Sequence, residues 1–259
     1  MGGGCYHAAM AEYLQGWGGA RLAVHRMGAG RPVLLMHGLF SSAQVNWIKF
    51  GHAQRLVDAG FEAIMPDLRT HGESEAPQDA EAYPPDVLVK DVLALAEGLG
   101  LVAGKFDLVG FSLGARTAVQ AILAGLSPRR LVLGGMGLEG LGEWQRRSAF
   151  FVDAIDRFDE IRSADDPAYM AKSFMRTMKV DRGAARMLLM SVQDTPPAAL
   201  ERLGMPTLVA CGAQDDDNGS APALAAALPQ ATYVEVPGTH MSSVTEPDLG
   251  EAIAEFLGG

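Results

Sequence analysis

The segment Gly110-Phe111-Ser112-Leu113-Gly114 is where residue type and spacing most directly suggest chemistry in this 259-residue chain. A serine hydroxyl is a weak nucleophile until a neighbouring base takes its proton. Flanked by glycines at this spacing, it can sit on an abrupt strand-to-helix turn, where side chains two residues before and after it would collide. The flanking sequence supplies both elements. Phe106 to Phe111 reads as a strand, and Ser112 to Ala124 as a helix. Such a turn lifts the hydroxyl to the head of a helix, whose positive dipole end favours a developing anion.

Four other segments carry polar groups to the ends of apolar runs. His37-Gly38-Leu39-Phe40 follows the run Val33 to Met36. Asp67-Leu-Arg-Thr-His-Gly-Glu-Ser74 follows Phe61 to Met65. Gly212-Ala-Gln-Asp215 follows Thr207 to Cys211, and Val236-Pro-Gly-Thr-His240 follows a strand that begins near Tyr233. With these segments the chain resembles the serine-nucleophile, esterase-like branch of the α/β-hydrolase superfamily, over nearly its whole length.

The resemblance implies a triad in the chain order serine, acid, histidine. His240 is the one histidine after Ser112 and stands where the family's base sits. Asp215 takes the place of the acid, with Asp216, Asp217 and Glu139 as alternatives. The backbone N–H groups of Leu39 and Leu113 would form an oxyanion hole. His37, Asp67 and Arg69 read as loop braces rather than reactive groups. Thr70 stands where the family usually has glycine, so the local turn is expected to differ. The resemblance implies an acyl-enzyme on Ser112 and no metal or organic cofactor. Attack by serine argues against the epoxide hydrolase and haloalkane dehalogenase branches, which need a carboxylate to form an alkyl-enzyme ester. The aminopeptidase branch needs acidic groups for a substrate amine. Asp165 and Asp166 could supply them, but the elbow surroundings do not resemble that group.

The elements that must position these groups alternate. A hairpin (Tyr13 to Trp17, Arg21 to Met27) precedes strands that alternate with helices at 47–59, 87–99, 112–124, 222–228 and 248–257. This predicts an α/β fold: a mostly parallel central sheet with helices on both faces. About 67 residues separate the sixth strand from the seventh, against roughly 2 to 6 in an ordinary connection. Residues 138–204 therefore read as a helical cap inserted after the sixth strand, with 1–137 and 205–259 forming the core. Helical spacing recurs around Phe150, Tyr169 and Met187. The Phe, Met and Leu content of the cap suggests an apolar acyl or alcohol pocket, with Phe40 and Phe111 as further lining.

Composition narrows the partners. The net charge of -10 disfavours nucleic acid and anionic lipid. The basic pairs Arg129-Arg130 and Arg146-Arg147 read as solvated helix ends. Cys5 and Cys211 have no metal-type spacing and predict no disulfide framework; Cys211 reads as a buried strand residue. The first residues lack the basic and apolar regions of a signal peptide, Tyr6 breaks a myristoylation motif, and no apolar run is long enough to span a bilayer. A cytoplasmic protein acting on a small-molecule acyl substrate is expected: a small or medium uncharged carboxylic ester, thioester or lactone. The same residues would also suit a C–C bond hydrolase, an acyltransferase, a ligand-binding receptor, or a cofactor-free oxygenase using only the His–Asp pair.

Overall fold

A computed structural model describes residues 11–259; Cys5, Tyr6 and the expectations attached to them lie outside the described residues. The chain runs β1 (Glu12–Gln15), β2 (Arg21–Gly28), β3 (Arg31–Met36), α1 (His52–Asp58), β4 (Phe61–Pro66), α2 (Val87–Gly98), β5 (Asp107–Phe111), α3 (Leu113–Leu123) and β6 (Leu131–Gly134). It continues through α4 (Leu138–Gly142), α5 (Trp144–Asp156), α6 (Tyr169–Thr177) and α7 (Arg182–Ser191), then β7 (Thr207–Gly212), α8 (Ala221–Ala227), β8 (Ala231–Val236) and α9 (Pro247–Gly258). One sheet takes the order β1-β2-β4-β3-β5-β6-β7-β8. The β1–β2 and β2–β4 pairs are antiparallel, and every pair from β4 across to β8 is parallel. This is the predicted α/β architecture.

The period-2 alternation of the strands divides the core in two. Leu34, Met36 and Leu108 pack with Val92 of α2 and Ala118 of α3. Val33, Leu35, Val109 and Val132 pack with Leu56 of α1 and Ile253 of α9 on the opposite face. Parallel strands covered on both faces must be apolar throughout, and β3, β5, β6 and β7 are nearly so. Their carboxyl ends all open on one edge of the sheet, where ligands of such folds bind.

Residues 138–204 hold α4 to α7 between β6 and β7. Their apolar faces join the same core face as α2 and α3, through Trp144, Ile155, Met175 and Leu188. Arg116 of α3, almost wholly buried, clamps both ends of the segment. Its guanidinium donates to the Gly140 and Gln193 carbonyls and lies over the Trp144 ring.

Two local expectations change. The single helix expected over 47–59 is split: a π-helical turn at Gln44–Ile48 precedes Gly51, in the left-handed region at φ 79°, and α1 starts only at His52. Arg129 and Arg147 are structural and not simply solvated, whereas Arg146 is exposed. Arg129 donates to Asp107, which is fully buried, and to the Leu257 carbonyl, tying β5 to the end of α9. Arg147 of α5 reaches Asp217.

Arg69 is a deeply buried brace. It makes a two-pronged ion pair with Asp91 of α2 (2.8 and 2.6 Å) and also donates to the Trp17 and Ala82 carbonyls. Both side chains are almost fully buried. Removing one partner leaves an uncompensated interior charge. Arg69→Met is therefore expected to destabilise the chain by about 3–5 kcal/mol, read as a lowered urea midpoint. An exposed pair such as Arg157–Asp153, screened by solvent, should contribute far less.

Candidate active site

The turn after β5 has the shape the glycines allow. Ser112 lies at φ 52°, ψ -112°, between the last residue of β5 and the first of α3. A Cβ on Gly110 would lie 2.5 Å from Ala115 N, so the collision across the elbow is real. Gly114 is constrained by a different neighbour. A Cβ there would lie 2.6 Å from the carbonyl carbon of Met36, at the end of β3. The elbow is thus wedged against the strand that carries His37 and Gly38.

Three strand ends converge on this point. Ser112 Oγ lies 3.0 Å from His240 Nε2, in the loop after β8. His240 Nδ1 lies 2.9 Å from Asp215 Oδ2, in the loop after β7. A carboxylate only accepts, so Nδ1 carries the proton and Nε2 presents its lone pair to the serine. Burial raises the Asp215 carboxyl, but hydrogen bonds from His240, Cys211 and the Asp217 N–H, with the imidazole's charge once it is protonated, hold the group below the usual carboxylate range. The arrangement can draw a proton from Ser112 and stabilise the imidazolium that results. All three residues are less than a tenth exposed.

The other acid alternatives point elsewhere. Asp216 is not bonded to the imidazole, and Asp217 pairs with Arg147. Glu139 Oε2 accepts from the Ser220 N–H at 2.8 Å, and that bond holds its carboxyl below the ordinary range.

Gly38 lies beside the serine: a Cβ there would be 3.5 Å from Ser112 Cβ. The Asn46 side chain, on the π-helical turn, accepts from the Gly38 N–H at 3.1 Å. Neither the Leu39 nor the Leu113 N–H has a protein acceptor among the described residues. Leu113 follows Ser112 directly at the head of α3, and Leu39 follows Gly38, so two such donors are near the serine in the chain.

His37 is wholly buried, accepts from the Leu68 N–H at 2.9 Å and donates to the Gly38 carbonyl at 2.8 Å. Desolvation keeps it neutral, as a loop brace. Asp67 accepts from the Ala43 and Glu73 N–H groups and bridges two loops. Thr70 does occupy the left-handed region, at φ 71°, so the glycine-type turn persists with a strained β-branched residue in it.

Phe40 and Phe111 part company. Phe40, at φ 58°, packs edge-on against Phe151 of α5 (5.6 Å) and stacks on His71. It links the loop after β3 to the cap segment. Phe111 belongs to the opposite core face with Val109 and Val132, and its ring lies 5.3 Å from the His240 ring. It supports the imidazole from below.

Three contacts were missed by reasoning from the sequence: Asn46 on Gly38, Arg147 on Asp217, and the Cys211 thiol on Asp215 Oδ2 at 3.3 Å. The first needs the π-turn geometry, and the second spans 70 residues. Only the third, four residues apart across a strand end, has a spacing that could have drawn notice. Among the described residues, no group of three or more His, Cys, Asp or Glu side chains could hold a metal ion. No helix among them is long and apolar enough to cross a membrane.

Two tests follow from these constraints. Gly114→Ala forces a methyl into the Met36 carbonyl and should cost about 1–3 kcal/mol or more, seen as a lowered Tm. Burial lowers His71 from 6.5 to about 3, with the nearby His37 adding to the effect. Between those values the unfolded chain binds a proton that the folded chain refuses, so stability falls as pH falls. His71→Asn should flatten the stability–pH slope by about 1.4 kcal/mol per pH unit in that window, measured by urea titration from pH 6.5 downwards.

The chain's similarities agree with this geometry. The α/β hydrolase family model matches residues 33–255. An epoxide hydrolase of Caballeronia sordidicola is 37% identical over 112 residues, which are 43% of this chain and 32% of that protein. The match thus spans about a third of that relative's length. A 2-hydroxymuconate semialdehyde hydrolase of Pseudomonas sp. (strain CF600) is 29% identical over 215 residues, covering 76% of this chain and 75% of the relative. Among solved structures, a hydrolase from Pseudomonas aeruginosa PA01 superposes with a TM-score of 0.74 at 25% identity, over 97% of this chain and 100% of that one. A thermophilic esterase from Thermogutta terrifontis shares the fold with a TM-score of 0.73 at 24% identity, over 96% and 98% of the two chains. With the family model covering all but the first and last stretches, and the strand order and elbow in agreement, this chain belongs to the α/β hydrolase family, enzymes of the hydrolase type.

Proposed function

We propose that this protein is a serine hydrolase that cleaves a small or medium uncharged carboxylic ester, thioester or lactone through an acyl-enzyme on Ser112. The observation that carries this reading is the unbroken hydrogen-bond chain from Ser112 Oγ through His240 to Asp215. In this mechanism His240 Nε2 takes the hydroxyl proton as Ser112 Oγ attacks the acyl carbon. The Leu39 and Leu113 N–H groups receive the oxyanion; each such donor contributes about 2.7–4 kcal/mol in comparable enzymes. His240 then hands the proton to the leaving alcohol or thiol. Water, deprotonated by the same imidazole, releases the acid and restores the serine. Asp215 stays ionised throughout and holds the tautomer.

The nucleophile's identity separates this reading from the activity printed for the first relatives. A serine that opened an epoxide would form an alkyl ether, which the same residues have no means to hydrolyse. An acyl carbon instead gives an ester that water can cleave. The likeness to a 2-hydroxymuconate semialdehyde hydrolase over three quarters of both chains supports a second reading, hydrolysis of a C–C bond adjacent to a carbonyl. Both readings place the substrate beneath α5, where Phe40 meets Phe151.

Turnover of p-nitrophenyl acetate, butyrate and octanoate tests the proposal. Wild type should hydrolyse at least one ester, and Ser112→Ala should lose about 10⁴-fold or more in kcat. Equal turnover by both proteins would contradict it. Substitutions at Phe151 should change the preferred chain length; an unaltered profile would remove the cap segment from the pocket.

A further inference from the structure

We propose that Cys211 is a positioning residue for the acid of the site, its thiol donating to the same carboxylate oxygen that receives the His240 N–H. This rests on the reading of Ser112 as nucleophile and of Asp215 as the acid behind it. Cys211 Sγ lies 3.3 Å from Asp215 Oδ2, and His240 Nδ1 lies 2.9 Å from that atom. The other oxygen, Oδ1, accepts from the Asp217 N–H at 3.2 Å. The thiol therefore does not merely fill space near the carboxylate. It occupies one of the lone pairs of the oxygen on which the imidazole depends.

The two partners differ in how they are held. Cys211 is buried on β7, hydrogen-bonded into the sheet between β6 and β8. Asp215 is on the loop beyond the strand. The fixed donor therefore sets the position of the looser acceptor. Burial, and then the charge of Asp215, push the thiol up to about 12, so at working pH it stays a neutral S–H donor. Behind the carboxylate is a cavity of about 400 Å³, lined by Cys211, Asp215, Pro222 and Tyr233 among others. Water from that cavity could otherwise take the lone pair that the thiol occupies. The remaining titratable or charged groups facing this corner are Asp216 and Asp217 on the same loop, Tyr233 and Glu235 on β8, Glu139 of α4 through the Ser220 N–H, and Arg147 of α5 through Asp217.

The consequence for reactivity has a sign. A donor on a carboxylate stabilises its ionised form and weakens it as an acceptor. Losing that donor makes Asp215 the stronger partner of the imidazole. The array then holds its proton more tightly, and more alkaline conditions are needed to free the base.

The test is the pH dependence of Ser112 labelling by a fluorophosphonate, measured as a second-order rate constant. Cys211→Val keeps a similar volume, excludes water and cannot donate. Cys211→Ser restores a hydroxyl donor, and Cys211→Ala stands in if the valine variant does not fold, with folding checked by thermal denaturation. The valine variant should shift the acid limb upward by about 0.5 pH unit or more, while the serine variant returns it to the wild-type midpoint or below. A slower rate with an unmoved midpoint in both variants would reduce Cys211 to packing and overturn the proposal. Wild type that is not labelled at Ser112 at any pH would overturn the underlying nucleophile reading, and this inference with it.

Discussion

Ser112 is held at a positive φ that an L-residue adopts only under constraint, at a cost of about 1–3 kcal/mol. The surrounding structure is arranged to keep it there. Gly110 and Gly114 remove the atoms that would forbid the turn, and the carbonyl of Met36 closes on the second of them. The turn is thus packed backbone to backbone against the end of β3, which is adjacent and parallel to β5. The end of the strand that leads to Leu39 is pressed against the turn that carries the hydroxyl. Main-chain packing between these two strand ends thus fixes Gly38 beside Ser112.

The rest of the site hangs from this point in layers of decreasing rigidity. His240 and Asp215 come from loops, yet each is restrained. The His240 ring lies against Phe111, and Asp215 accepts from a strand thiol and a loop amide. Above them, the segment between β6 and β7 is tied down at its base by Arg116 and to the acid loop by Arg147. Phe40 joins the loop after β3 to α5 from the other side. The helix α5 therefore touches both the loop after β3 and the loop carrying Asp215.

Much of this could be read from the sequence, and the reason is local. The elbow, the His-Gly pair and the loops carrying Asp215 and His240 each occupy a few consecutive residues at the end of an apolar run, so pattern and chemistry coincide. The alternation of strands and helices exposed the sheet, and the long gap after the sixth strand exposed the inserted helices. What escaped depended on distance. The π-helical turn at Gln44–Ile48 carries Asn46 to the Gly38 N–H, a contact that helical periodicity does not encode. Arg129 looks solvated until α9 folds back to place the Leu257 carbonyl beside it. Phe111 looked like pocket lining because it adjoins the serine, but strand alternation turns its ring to the other face of the sheet. Thr70 was expected to alter its turn, whereas neighbouring hydrogen bonds hold it in the glycine conformation.

The central claim is that Ser112 Oγ becomes covalently acylated with His240 as its base. The most direct measurement is rapid acid quench during turnover of p-nitrophenyl butyrate, followed by peptide mass mapping. The account predicts a butyryl group on the peptide carrying Ser112, formed within the first turnover and absent when His240 is replaced by alanine. Turnover with no acyl group on that peptide, or with the acyl group on another residue, would contradict it.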